Sequence, residues 1–114
     1  MSGVTAYGLG GARRSYPDRM EFEFDGEVIW WKGPSPFHFV PVPDEESAHI
    51  EAAKSLVTYG WGVIPVSASI GDTDFTTSLF PKDGRFLVPI KDAVRRAEGL
   101  ELGDVVTIHL AVDF

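Results

Sequence analysis

The chain has 114 residues, which is enough for one domain of ordinary size and too few for two. It contains no cysteine, which excludes disulfides, thiolate metal sites and thiol nucleophiles and fits a cytoplasmic location. The net charge of -7 opposes binding to nucleic acid, and no apolar run approaches the roughly 20 residues that a membrane span needs.

Residues 1–18 predict a flexible arm, and residues 19–114 predict a single domain. The arm holds four glycines and the pair Arg13 and Arg14, which we expect to stay in solvent. Because a Gly-rich segment contributes little apolar surface, deletion of the arm is expected to leave stability nearly unchanged.

The first strands and the first helix are predicted between residues 20 and 56. Apolar and acidic residues alternate over 20–25, which predicts a strand with one dry face and one acidic, solvated face. Gly26 predicts a bend or bulge, and strand patterns resume at 28–31 and 37–40. Three acidic residues then open a helix predicted from residue 44 to about 56.

The clearest hairpin lies at residues 62–79, on either side of the turn Gly71-Asp72. Its alternation predicts one buried face that carries Ile64, Val66, Ile70 and Leu79.

The last third of the domain predicts strand, helix and strand. A turn leads into a strand over residues 86–90, followed by a helix over 91–98 that ends at Gly99 with a left-handed cap. The final strand is predicted over residues 106–112.

These elements predict a mainly β fold of about six to seven strands with one or two short helices. Both faces of the strands are partly apolar, which favours a small closed β-barrel because closure removes exposed edges. The segment 39–42 before the acidic helix also resembles 87–90 before the basic helix, which suggests two related halves.

No metal or cofactor is predicted. His38, His49 and His109 lack the spacing of a zinc motif and are expected at the surface or at sheet edges. The Gly-rich N-terminal segment lacks the strand and helix that flank a phosphate loop, and no G-x-S-x-G elbow is present. An enzyme that works through carboxylates is the alternative with the least local support.

Lys91 and Arg95 are the best candidates for binding an anion. They are four residues apart on the predicted second helix and therefore share a face. Cations near a helix C-terminus also compensate the helix dipole, and Arg95 could pair with Asp92. The predicted pocket lies where these cations, Ser78 and Trp61 converge.

Trp30 and Trp31 are candidates for interaction with a partner. Adjacent residues on a strand point to opposite faces, so one of the two is expected to face solvent or the mouth of a pocket. Burial in the core is the commoner role for large aromatic residues.

A series of motifs resembles the bacterial domain-of-unknown-function family 1905, from about residue 20 to 112. The resemblance implies a small Greek-key β-barrel without an established activity. It rests on Trp30, Gly33-Pro34, Phe37-His38-Phe39-Val40, Pro43, Gly60-Trp61-Gly62-Val63-Ile64-Pro65-Val66, Ile70-Gly71, Thr77-Ser78-Leu79-Phe80-Pro81, Leu87-Val88-Pro89-Ile90-Lys91, Val94-Arg95-Arg96-Ala97-Glu98-Gly99-Leu100 and Gly103-Asp104.

A second similarity covers residues 84–110. The segment is similar to swapped-hairpin transition-state regulators of the AbrB type, which implies a DNA-binding dimer. It rests on Gly84-Arg85-Phe86-Leu87-Val88-Pro89, Val94-Arg95, Gly99-Leu100 and Gly103-Asp104.

We therefore expect a binding or interaction module, monomeric or weakly dimeric, whose partner is a small anionic ligand or another protein. A nucleic-acid-binding regulator of the AbrB type is the main alternative, and the acidic composition opposes it.

Overall fold

The computed structural model describes residues 19–33, 35, 37–54 and 64–113. The strands are β1 Arg19–Glu27, β2 Ile29–Trp30, β3 His38–Pro41, β4 Ile64–Ile70, β5 Thr73–Lys82, β6 Arg85–Pro89 and β7 Val105–Asp113. The helices are α1 Asp44–Lys54 and α2 Asp92–Glu98. The predicted arm at residues 1–18 and the candidate Trp61 lie outside the described residues.

The strands form one antiparallel sheet in the order β1-β7-β4-β5-β6-β3-β2, so the mainly β prediction is confirmed. The predicted closed barrel is wrong, because the sheet is an open half-barrel. The two edge strands of the sheet are β1 and β2, which follow each other in the chain and are joined by Val28. Among the described residues, β1 pairs only with β7 and β2 pairs only with β3, so the two edges do not pair with each other. Because β2 has only two residues, it cannot continue the hydrogen bonding along the free edge of β1.

Gly26 allows β1 to pass close to β3. The strand pairs regularly with β7 through Gly26 to Glu27, so the predicted bend does not interrupt it. A Cβ at position 26 would overlap Val40 Cγ1 and lie 3.1 Å from the Pro41 carbonyl oxygen. The glycine is therefore required for a close approach of two backbones.

The hairpin of β4 and β5 is confirmed in position and register. Ile64 lies opposite Leu79, and Ile70 lies opposite Thr73 across the turn. Along β4 the side chains of Ile64, Val66, Ala68 and Ile70 are buried, and the residues between them are more exposed. The period of two in the sequence therefore identified the core face.

The main core lies on the concave face of the sheet. It is built from apolar residues of β1, of β3 to β7 and of both helices. It includes all four residues predicted for the buried face of the hairpin, Ile64, Val66, Ile70 and Leu79. Its most buried members include Val28, Val40, Ile50, Ile64, Leu79, Val88, Ile90, Ile108 and Val112.

A smaller cluster covers the opposite face of β3 and β6. Phe39 and Leu87 are buried on this face, one residue away from the core residues Val40 and Val88. The Phe39 ring lies 5.3 Å from that of Trp31 and 6.3 Å from that of Phe80. Both faces of this end of the sheet are therefore covered.

The second helix ends as the sequence predicts. Gly99 follows α2 with φ of 64°, and its backbone N–H donates to the carbonyl of Arg95.

In the described part of the chain, no helix is long and apolar enough to cross a membrane.

Candidate functional site

Ser78 and Lys91 line the same open cleft on the convex side of the hairpin, with a volume of about 770 Å³. The register places Ser78 opposite Pro65 and Thr76 opposite Ser67, so outward-facing side chains of β4 and β5 form its floor. The described residues that line it are Ser35, Pro65, Val66, Ser67, Thr76, Thr77, Ser78, Phe80, Pro89 and Lys91.

Lys91 supplies the positive charge of the cleft. It is exposed and immediately precedes α2, and its Nζ donates to the carbonyl oxygen of Thr76 at 2.8 Å. An ammonium group has three N–H donors, so this bond orients the side chain and uses one of them. Among the lining residues that the structure describes, Lys91 is the only charged one.

Arg95 is not among the residues that line the cleft. Its Nη2 donates to Asp92 Oδ1 at 3.0 Å, which is the intrahelical pairing that the sequence offered as an alternative. The hydrogen bond from the Arg95 side chain is the main cause that lowers the pKa of Asp92 from its usual value. The sequence grouped Lys91 with Arg95 because the two are four residues apart. In the structure only Lys91 lines the cleft.

Serine and threonine hydroxyls form the polar part of the cleft. Ser67, Thr76 and Ser78 lie on the outer face of two neighbouring strands, where each hydroxyl can donate one hydrogen bond and accept others. Phe80 and two prolines provide apolar wall next to these hydroxyls. The cleft can therefore contact both an anionic group and a partly apolar body.

A second groove, of about 580 Å³, continues from the cleft across the convex face. Ser67 and Thr76 line both. The register aligns Glu23, His109, Ser69 and Asp74 in one row across β1, β7, β4 and β5. His109 Nε2 lies 3.4 Å from Glu23 Oε2, and both side chains are exposed.

Trp30 is the exposed member of the tryptophan pair. Its side chain is 53% exposed, whereas Trp31 is half-buried against Phe39. Lys82 Nζ lies 5.0 Å from the centre of the Trp31 ring, a cation–π contact. Trp31 thus packs in the cluster around Phe39, and Trp30 is exposed beside Phe37.

Of the residues predicted for the pocket, Ser78 and Lys91 line the cleft, and the structure adds Ser67 and Thr76, which the sequence did not single out. These are common residue types in ordinary strand positions, and only the pairing of β4 with β5 brings them into the cleft. In the described ranges, no group of three or more histidine, aspartate or glutamate residues is arranged to hold a metal ion.

The described residues form an open, seven-stranded antiparallel half-barrel with two short helices and a solvent-accessible cleft on its convex face, which defines a small, mainly β protein. The chain belongs to the family described as Domain of unknown function (DUF1905), whose model matches residues 24–110. No curated protein matches the chain.

Proposed function

We propose that this protein is a binding module for a small ligand with an anionic group, held in the cleft beside Lys91. One observation supports this most. The ammonium group of Lys91 lies in a cleft lined by hydroxyl groups, and none of the described lining residues is a carboxylate. A carboxylate or phosphate on the ligand would accept from Lys91 Nζ and from the neighbouring hydroxyls.

The dimensions of the cleft agree with a small molecule. Ligand sites typically enclose about 300–1,000 Å³ and combine apolar surface with a few polar groups. The cleft has a volume of about 770 Å³, and Phe80, Pro65 and Pro89 provide its apolar surface. Because the cleft is open and Lys91 is exposed, water screens the charge and we expect weak affinity.

The test is a thermal-stability and calorimetric titration with inorganic phosphate, citrate and a nucleoside monophosphate. A ligand at ten times its dissociation constant stabilises the native state by about 1.4 kcal/mol, which raises the midpoint by several degrees. We expect at least one of these anions to produce this shift.

Matched variants then assign the site. Lys91→Ala should remove the shift, and Arg96→Ala should retain it, because each removes one positive charge but only Lys91 lines the cleft. Arg95→Ala should also retain it, since that guanidinium is paired with Asp92. Equal loss in all three variants would mean that the anion responds to the charge of α2 and not to the cleft.

The two alternatives have less support. A DNA-binding role of the AbrB type would require a basic surface, and the convex face of β1 instead exposes Glu21, Glu23 and Asp25. For a carboxylate-based enzyme, the relevant geometry would be acidic side chains enclosed in a cleft. The acidic side chains of β1 are instead exposed to solvent, and Asp25 accepts a hydrogen bond from Thr107. They therefore lack the enclosed environment that a catalytic carboxylate needs.

A further inference from the structure

Lys91 and Asp74 bring opposite charges to the cleft and the groove that continues from it. Lys91 lines the cleft, and Asp74 lines the groove. Both are also lined by Ser67 and Thr76, which lie opposite each other on β4 and β5. Hydroxyl-bearing residues therefore form the surface between the two charges.

The pairing of β4 with β5 shows that Asp74 reaches the same surface as the cleft. Asp74 lies opposite Ser69, and Thr76 lies opposite Ser67. Ser67 and Ser69 flank the buried Ala68, so they point away from the core. Asp74 and Thr76 are two residues apart on one strand and therefore share this outer face.

The two charges are close together but do not pair. Lys91 Nζ lies 2.8 Å from the carbonyl oxygen of Thr76. Asp74 precedes Thr76 by two residues, which is about 7 Å along an antiparallel strand. No salt bridge joins Lys91 to Asp74, and within the described residues the Asp74 carboxylate has no hydrogen-bond or salt-bridge partner. Both side chains are exposed, so one small ligand could contact both.

The charges along the groove disfavour a ligand with several negative groups. Besides Asp74, Glu21 lines the groove and is exposed. A polyanion held by Lys91 would be repelled by these two carboxylates wherever it extended into the groove. A positive group on the ligand would turn that repulsion into attraction.

From this geometry we propose that the ligand of the cleft is a small zwitterion of the amino-acid class. Its carboxylate would accept from Lys91 Nζ, and its ammonium group would donate to the carboxylate of Asp74. A spacing of about 7 Å between the two anchoring positions suits a ligand whose charges are a few covalent bonds apart. The inference rests on the proposed function, because it starts from the anion site beside Lys91 and adds a cationic group to the ligand.

The experiment compares three ligands with the same four-carbon chain: butyrate, butylamine and 4-aminobutyrate. Dissociation constants are measured by NMR chemical-shift titration of the full chain, which suits weak binding. We expect 4-aminobutyrate to bind about two- to fivefold more tightly than butyrate, which is the contribution of an exposed ion pair. The backbone amide signals of Ser67 and Thr76 should shift on its addition, because these residues lie between the two charges.

The outcomes separate this inference from the proposed function. Equal affinities of 4-aminobutyrate and butyrate would overturn the zwitterion and leave the anion site standing. Binding of phosphate without binding of 4-aminobutyrate would have the same meaning. If butylamine bound as tightly as 4-aminobutyrate, the anionic group would contribute nothing and both proposals would be overturned. Binding of none of these compounds, phosphate included, would also overturn both.

Three variants localise the two ends of the ligand. Asp74→Asn should lower the affinity for 4-aminobutyrate to that for butyrate, and it should not weaken butyrate, which has no cationic group. Lys91→Ala should weaken both ligands. Glu45→Gln is the matched control, because it removes an exposed carboxylate on α1 that lines neither the cleft nor the groove. This variant should keep the preference for 4-aminobutyrate.

The variants also give a result that would contradict the placement of the ammonium group. Asp74 is exposed, so Asp74→Asn should fold with an unchanged thermal midpoint. If this variant still preferred 4-aminobutyrate over butyrate, the ammonium group would not bind at Asp74. Equal loss of the preference in Asp74→Asn and Glu45→Gln would show that it arises from the net charge of the protein and would overturn the inference.

Discussion

Ser47 shows how much one buried side chain contributes to this fold. It is the buried polar residue among those described, at 2% exposure, and lies in the first turn of α1. Its Oγ donates to the Val42 carbonyl at 3.1 Å and accepts from the Phe86 N–H at 3.2 Å. The hydroxyl thus ties the start of the helix to β6.

Ser47→Ala is expected to lower the free energy of unfolding by about 1–3 kcal/mol, because it removes the Oγ that the buried Phe86 N–H bonds to. Urea denaturation of the two proteins measures the difference. Ser69→Ala is the control, since this serine lies on the half-exposed outer face of β4 and its loss should cost less than about 0.5 kcal/mol. Equal losses in both variants would contradict the role assigned to the Ser47 hydroxyl.

At the scale of elements, the hairpin of β4 and β5 builds the core and the cleft at once. Side chains of a strand alternate between its faces, so Val66 enters the core while Ser67, the next residue, lines the cleft. A slip of one residue in register would exchange the two faces.

Val66→Asp is expected to prevent folding, because it would place an unpaired carboxylate in the core, where Val66 is 4% exposed. Ser67→Asp is the matched control and should fold, since its side chain points outward. Circular dichroism and melting curves of both variants make the comparison. A soluble Val66→Asp protein with an unchanged melting curve would show that the faces are wrongly assigned.

The crossing of β1 over β3 gives a second prediction at this scale. Gly26→Ala should lower the free energy of unfolding by about 1–3 kcal/mol, because the new Cβ overlaps Val40 Cγ1 and forces the two strands apart. In the double variant with Val40→Ala, the added penalty of Gly26→Ala should largely disappear, since the overlapping atom is gone. A penalty that stays the same in both backgrounds would argue against this contact.

The two proline-ended segments noticed in the sequence pair with each other. Val40 of β3 lies opposite Val88 of β6. Beyond the ladder, Val42 N–H donates to the Phe86 carbonyl at 2.9 Å and Ile90 N–H donates to the His38 carbonyl at 2.8 Å. These two bonds extend the antiparallel pairing of β3 and β6 beyond the ends of the ladder.

Charge decides the expected behaviour of the whole molecule. There are 17 acidic and 10 basic residues, and four of the acids, Glu21, Glu23, Asp25 and Glu27, form an exposed row on the convex face of β1. Such a surface repels polyanions at a distance, so under the proposed function a small anion would bind only beside a local cation such as Lys91.

Duplex DNA should therefore bind weakly and without sequence preference. Fluorescence anisotropy with a labelled duplex at low and at physiological salt measures this, and unrelated duplexes of equal length serve as controls. Tight, salt-sensitive and sequence-selective binding would instead support the regulator alternative, because neutralised phosphates release counterions and give a steep salt dependence.

The sequence by itself determined the strands, the hairpin, the buried face of β4, the Gly99 cap and the family. Each of these follows from local information: a period of two, turn residues, and a motif series along the chain. The sequence also placed Ser78 and Lys91 near one pocket, and the structure brings both to one cleft; their role in binding stays a prediction.

Only the tertiary structure decided the rest. Whether the sheet closes depends on how far β2 extends along β1, and a two-residue strand carries no signal of that length. The cleft depends on the pairing of β4 with β5, which places Ser67 beside Thr76, and on the hydrogen bond from Lys91 to the carbonyl of Thr76, which lies 15 residues earlier in the chain. Contacts over such distances are set by packing of the whole chain, which no local pattern encodes.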